Sequence, residues 1–404
     1  MVHTGQDEPV VAAHDHAHHP SAPTLRGLGP RSPESIVRHM HEDRLLLGPG
    51  PSEPYPEAME ALTRPVLGHL DPEYLAVIAE IRERLQQVFR TTNELTLPVS
   101  GTGSSGMEAC LASLLEVGDT IIVGVNGYFG ERLCEVARRG GAEVVRVEAP
   151  WGTPIDPADL IAAQQAAPHA AVLAVVAAET STGVRNDVAP VGAALAPTDT
   201  LLLVDAVTAL GGTQLEVDAW QIDASYSASQ KCLGAPPGLA PVTLGARAVA
   251  RMKARKTPVR SFYLDLGLLH EYFLASPPTY HHTASSTLAY SLHAGLGRLL
   301  EEGVEQVWAR HDRIGRLLQS ALPELGFGLI APESNRLPQL TATTLPNGLD
   351  EGSLRKRLLA EYGIEVGGGL GAFAGRAWRI GMMGHAATER SVVTLIGAVR
   401  ELLA

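Results

Sequence analysis

The sequence predicts a doubly wound α/β fold: a large domain built on a mostly parallel sheet, followed by a smaller α+β domain at the C-terminal end. Three observations lead there. From residue 55, short apolar runs suited to strands buried on both faces alternate with segments of helical spacing. The glycine-rich turn "SGTGSSG" (100–106) closes one such run and opens a helical one. Beyond residue 302 that alternation gives way to a pattern of mixed short elements ending in a helix.

Residues 1–40 come first, rich in Pro, His, Ala and Gly, with "HDHAHHP" at 14–20 and "GLGPRSP" at 27–33. They are expected to form a mobile arm without a functional metal. The large domain is expected to span 41–302. "PEAMEALTRP" (56–65) and "DPEYLAVIAEIRERLQQVFR" (71–90) place apolar residues at helical intervals. The strand candidates are "LTLPVS" (95–100), "TIIVGV" (120–125), "EVVRVE" (143–148), "AVLAVVAAE" (171–179), "TLLLVDAV" (200–207) and "PVTLGA" (241–246). Helical stretches such as "GMEACLASLL" and "ERLCEVARRG" separate several of them in βαβ order. One long helical segment is expected over 291–325, and the small domain, 303–404, ends in the helix "ERSVVTLIGAVRELL".

The chain of 404 residues is long enough for more than one core. Its net charge of −12, without a basic stripe, excludes nucleic acid as an expected partner. No apolar run approaches the ~20 residues that cross a bilayer, so no membrane is expected either. Three widely spaced cysteines, Cys110, Cys134 and Cys232, form no CxxC pair. With no leader pattern at the N-terminus, they point to a reducing cytoplasm.

Chemistry enters with "SYSASQKCLGAPPG" (225–238), whose single charged residue is Lys231. The other three lysines, Lys253, Lys256 and Lys356, lie among arginines and read as surface. A chain that otherwise uses arginine for positive charge keeps a lysine where a neutral amine can attack a carbonyl, which a guanidinium cannot do. Gly101, Gly103 and Gly106 match GxGxxG, but the next strand run, "TIIVGVN", ends at Asn126 with no acid after it before Glu131, so the ribose-binding carboxylate of a dinucleotide fold is missing. What remains is an anion cradle at a helix N-terminus, with the Thr102 and Ser104 hydroxyls beside it. Asp205 closes the apolar run "TLLLVDAV" and sets a carboxylate at the carboxyl end of a parallel strand, where open α/β sheets bind ligands. Cradle, strand-end acid and isolated lysine meet the three needs of pyridoxal phosphate: an anion site, a carboxylate for the pyridine nitrogen and an amine for the aldehyde.

With these motifs in place, the sequence resembles the class V aminotransferases of PLP fold type I, the alanine–glyoxylate and serine–glyoxylate group above all. The similarity runs through 43–404 in "LLLGPGPS", "SGTGSSGMEA", "ETSTGV", "LLLVDAVTALGG", "SQKCLGAPPG", "SFYLD", "YHHT", "GGLG" and "RIGMMGHAA". The resemblance implies that Lys231 bonds covalently to the cofactor and shuttles protons, its pKa lowered by burial and cationic neighbours, and that Asp205 pairs with the pyridine nitrogen. It implies that Thr102, Gly103, Ser104 and Gln230 hold the phosphate and that Thr180 lies near the phenolic oxygen. Phe129, where relatives often carry Trp, would stack on the ring, and Val207 would cover its other face. Tyr280 and Thr283 would reach the phosphate of a neighbouring subunit, making the active site a property of a homodimer. Arg379, expected to be buried with an anionic partner, would clamp the substrate carboxylate. Adjacent His281 and His282 should point apart and hold no metal.

The implied reaction is ping-pong transamination from a small amino acid, alanine or serine, to glyoxylate or a similar 2-oxo acid. A ureidoglycine–glyoxylate or pyridoxamine–pyruvate transaminase remains an alternative, as does a PLP lyase of the same fold. Lyases of the desulfurase kind usually carry His where Gln230 stands.

Overall fold

The computed structural model describes residues 44–404, which form one compact unit. The expected N-terminal arm lies outside the described residues. In chain order the strands are β1 (Leu45–Leu46), β2 (Leu95–Ser100), β3 (Thr120–Val125), β4 (Glu143–Glu148), β5 (Val172–Val176), β6 (Ala178–Glu179), β7 (Val184–Arg185), β8 (Leu201–Asp205), β9 (Ala224–Tyr226) and β10 (Leu239–Leu244). They are followed by β11 (Gly328–Leu329), β12 (Leu340–Thr344), β13 (Ile364–Glu365), β14 (Gly367–Gly368) and β15 (Ala377–Gly381).

The main sheet has seven strands in the order β2-β10-β9-β8-β5-β3-β4. All run the same way except β10, which is antiparallel to both of its neighbours. The inner strands β3, β5 and β8 are mostly apolar and buried along their length because each side faces a core, whereas edge strand β4 is charged and partly exposed. Leu202 and Val204 pack into one hydrophobic cluster, Leu201 and Leu203 into the other. Burying such a leucine or valine contributes about 1.5–3 kcal/mol.

Two strands differ from the pattern expected of the sequence. Strand β9 was not foreseen, since three residues are too few to display a period. Strand β10 was expected to be parallel. Residues 227–238 contain no helix, and without the crossover that a parallel connection requires the chain returns antiparallel, pairing Tyr226 with Val242.

The expected long helix over 291–325 is two helices, Ser286–Glu302 and Val304–Glu324. Gly303 separates them with φ +93°, a conformation that costs other residues strain. The later residues build a four-stranded antiparallel sheet, β11-β12-β15-β14, over a third cluster that includes Ile314, Leu318, Trp378 and Leu395. Leu47 belongs to this same cluster. Strand β1 pairs with β13, and the chain then crosses to the lysine loop, where Ser52 N donates to Gln230 O at 2.9 Å and Ser52 Oγ to Lys231 O at 2.8 Å.

Candidate active site

Parallel strands bring their carboxyl ends to one edge, so residues distant in sequence meet there. After β2 come Gly101 to Ser104; after β3, Phe129; around β6, Glu179 and Thr180; at the end of β8, Asp205 to Val207; after β9, Gln230 and Lys231.

Helix Gly103–Leu114 starts immediately after the turn at Gly101, whose φ is +124°. Its N-cap, Thr102, is exposed and makes no side-chain cap bond, leaving the first backbone N–H groups open to an anion. Gly103 is required by space: a Cβ there would lie 2.8 Å from Val207 Cγ2 and 3.2 Å from Ala228 Cβ. Ser104 and Val207 are half-buried beside it, and Thr180 is buried.

Asp205 is 4% exposed. Its Oδ1 accepts from Val207 N at 2.9 Å, and its Oδ2 accepts from the Tyr226 phenol at 2.8 Å. Burial raises its pKa to about 6 against these two hydrogen bonds and the Lys231 charge. The Lys231 amine donates to Pro49 O, and Gly50 has no Cβ that would occupy the amine's place. Burial lowers the amine's pKa to about 8; the Arg379 and Arg132 charges push the same way, whereas Cys232 and Asp205 oppose them. Cys232 turns away from the amine, its Sγ buried 3.5 Å from Thr208 O. Gln230 has a buried Oε1 with no hydrogen-bond partner, an orphaned polar atom such as a bound ligand would satisfy.

Arg379 sits on β15 with 9% exposure, its Nε donating to Gly368 O at 2.8 Å. Burial lowers its pKa to about 10, with Glu179 opposing. The expected anionic partner is not an ion pair: Arg379 forms none among the described residues, and its Nη atoms make no protein hydrogen bond there. Tyr280 and Thr283 are not joined to this cluster within one chain. Both are exposed, and the Tyr280 ring lies 4.9 Å from that of His69. His281 and His282 do not point apart as expected. Their Nδ1 atoms meet at 2.8 Å, while His282 Nε2 reaches Ser100 Oγ at 2.9 Å. No group of three or more metal-ligating side chains occurs among the described residues, and none of their helices is long and apolar enough to cross a membrane.

Residues 53–386 match the family described as Aminotransferase class-V. The chain belongs to the class V aminotransferases. An alanine–glyoxylate aminotransferase of Drosophila melanogaster is 36% identical over 364 residues, 89% of this chain and 92% of that protein. The crystal structure of an alanine–glyoxylate aminotransferase from Nostoc sp. matches with a TM-score of 0.88 at 44% identity, covering 90% of this chain and 96% of that one. That of a ureidoglycine–glyoxylate aminotransferase from Bacillus subtilis gives 0.87 at 36%, covering 90% and 93%. The architecture is the PLP fold type I of those structures, and the family is PLP-dependent.

In this class V aminotransferase three further residues shape the site. Tyr226 holds Asp205, as described. Glu179, fully buried, accepts from Phe129 N at 3.0 Å, Gly130 N at 3.3 Å, Ser181 N at 3.0 Å and Ser181 Oγ at 2.6 Å. It thereby fixes the backbone that presents half-buried Phe129. Arg132 lies over the Phe129 ring at 5.0 Å and donates to Ser104 Oγ at 3.3 Å. Of the three, only Glu179 left a mark in the sequence: like Asp205, it is an acid closing an apolar run.

Proposed function

We propose that this site binds pyridoxal 5′-phosphate and moves an amino group from alanine or serine to glyoxylate or a similar small 2-oxo acid. When bound, the cofactor supplies an aldehyde that captures amines and a ring that withdraws electrons from the substrate α-carbon. Thr102, Gly103, Ser104 and Gln230 would hold its phosphate, Phe129 and Val207 its ring faces, and Thr180 its phenolic edge. Asp205, kept in place by Tyr226, would hold a proton on the ring nitrogen. Lys231, with a pKa of about 8, has an appreciable neutral fraction at physiological pH. Its Nζ can therefore hold the cofactor and, once displaced, take a proton from the α-carbon and return it on the other side of the transfer.

The observation that carries the substrate class is Arg379: a buried guanidinium whose Nη atoms have no protein partner among the described residues. A carboxylate there gains a bidentate, charge-assisted pair. One such clamp suits a monocarboxylate. Tyr280 and Thr283 support a homodimer with shared sites, being exposed in one chain. Three buried free thiols suit a cytoplasmic location.

Purified protein given pyridoxal phosphate should absorb in the visible, and borohydride should bleach that band irreversibly. Lys231→Ala should lose the borohydride-fixed band. In single half-reactions, alanine and serine should discharge the colour and aspartate should not. Discharge by aspartate alone refutes the monocarboxylate reading, and discharge by pyridoxamine or ureidoglycine alone moves the assignment to those transaminases.

A further inference from the structure

Among the described residues, Arg132 is a cation without a counter-ion. It is half-buried, and among the described residues it forms no ion pair, although the chain carries 44 acidic residues against 32 basic ones. Since a guanidinium does not deprotonate, its charge is permanent. Its position follows from helix geometry. On helix Tyr128–Arg139 it stands one turn after Tyr128 and Phe129, and its guanidinium folds back over both rings, at 5.2 and 5.0 Å from their centroids. Held there, Nη1 donates to Ser104 Oγ in the first turn of the cradle helix, while Nε and Nη2 donate to nothing among the described residues.

We infer that Arg132 is a positioning residue for the phosphate of the bound cofactor and acts through Ser104; this rests on reading the site as a pyridoxal phosphate site. A hydroxyl oxygen that accepts from a cation keeps its own O–H free to donate, and the adjacent charge favours an anion as acceptor. The two aromatic rings keep the guanidinium from swinging into water. Arg132 thus turns Ser104 into a directed donor at the mouth of the cradle and adds positive charge to the helix N-terminus.

The test is the apparent Kd of the full-length apo-protein for pyridoxal phosphate and for pyridoxal, followed by tryptophan fluorescence. Arg132→Met should weaken pyridoxal phosphate by roughly tenfold or more, the loss expected for one charge-assisted contact, and leave pyridoxal nearly unchanged. Arg132→Lys, which keeps the charge and most of the packing, should fall between. In a Ser104→Ala background Arg132→Met should add little, because the two act as a unit. Equal weakening of both ligands means a structural role and overturns the inference, as does full additivity with Ser104→Ala. A wild type that prefers pyridoxal phosphate over pyridoxal, with the preference intact in Arg132→Met and Arg132→Lys, overturns the Arg132 role alone. A wild type that binds neither ligand overturns the site assignment, and the Arg132 role with it.

Discussion

Tyr226→Phe removes a single oxygen from the centre of the site without changing the shape of a fully buried side chain. That oxygen donates to Asp205 Oδ2 at 2.8 Å, where solvent cannot replace it. A hydrogen bond to a charged partner contributes about 1.5–3 kcal/mol, and to a neutral one about 1 kcal/mol. The excess stabilisation of the charged form, about 0.5–2 kcal/mol, corresponds to roughly 0.4–1.5 pKa units at 1.36 kcal/mol each. Asp205 already has its pKa raised to about 6, chiefly by burial. A carboxyl raised in the folded state stabilises the fold fully below its ordinary pKa, near 3.8, and that contribution is lost as pH rises through the folded value. Without the phenol the folded pKa moves higher and the loss is deeper.

The cost of Tyr226→Phe should therefore grow between pH 5 and pH 9 by about 0.5–2 kcal/mol. Tyr226 does not ionise in that range, because burial pushes its own pKa well above the ordinary value. Urea unfolding of both apo-proteins at the two pH values, at one protein concentration, reads this difference while cancelling the other titrating groups. An equal cost at pH 5 and pH 9 would show that the phenol does not stabilise the ionised carboxylate.

Lys231→Met should stabilise the apo-protein at pH 7 by about 1–3 kcal/mol, because the folded state depresses the amine's pKa to about 8 and so penalises its charged form. The gain should shrink toward pH 11, where the amine is neutral folded or unfolded; a gain that persists there in chemical denaturation would refute the cause. Glu179→Gln should lower stability by about 2–4 kcal/mol, since an amide cannot accept at both ends as the carboxylate does from Phe129, Gly130 and Ser181. A thermal midpoint equal to wild type would contradict that account. Arg379→Lys should raise KM for the amino donor about 10- to 100-fold with a smaller effect on kcat, because ammonium cannot pair bidentately with a carboxylate. An unchanged KM would place the substrate elsewhere.

Much of the fold was legible because a strand buried on both faces must be apolar throughout. β2, β3, β5, β8 and β10 are such runs, and their order with intervening helices implied a sheet with helices on both sides. Direction was not legible in β10: its apolar run is as continuous as those of the parallel strands, and only pairing with β2 and β9 reverses it. Lys231 stood out because no other charge lies within 225–238, and Asp205 because a carboxylate ends an apolar run. Arg132 and Tyr226 gave no such sign. Arg132 lies in "GERLCEVARRG" as one arginine among three, and Tyr226 reads as an aromatic in a hydroxyl-rich stretch.

The sequence by itself determined what local chemistry can encode: the apolar strands, the glycines that leave room at a helix start, and an amine isolated from carboxylates. Tertiary structure decided which groups share low-dielectric space. Burial and neighbouring charges set the Lys231 amine near pH 8, a phenol 21 residues away fixes Asp205, and Arg132 turns toward Ser104 from another helix. Those interactions depend on distance and desolvation, and both are established only when parallel strands deliver separate segments to one sheet edge.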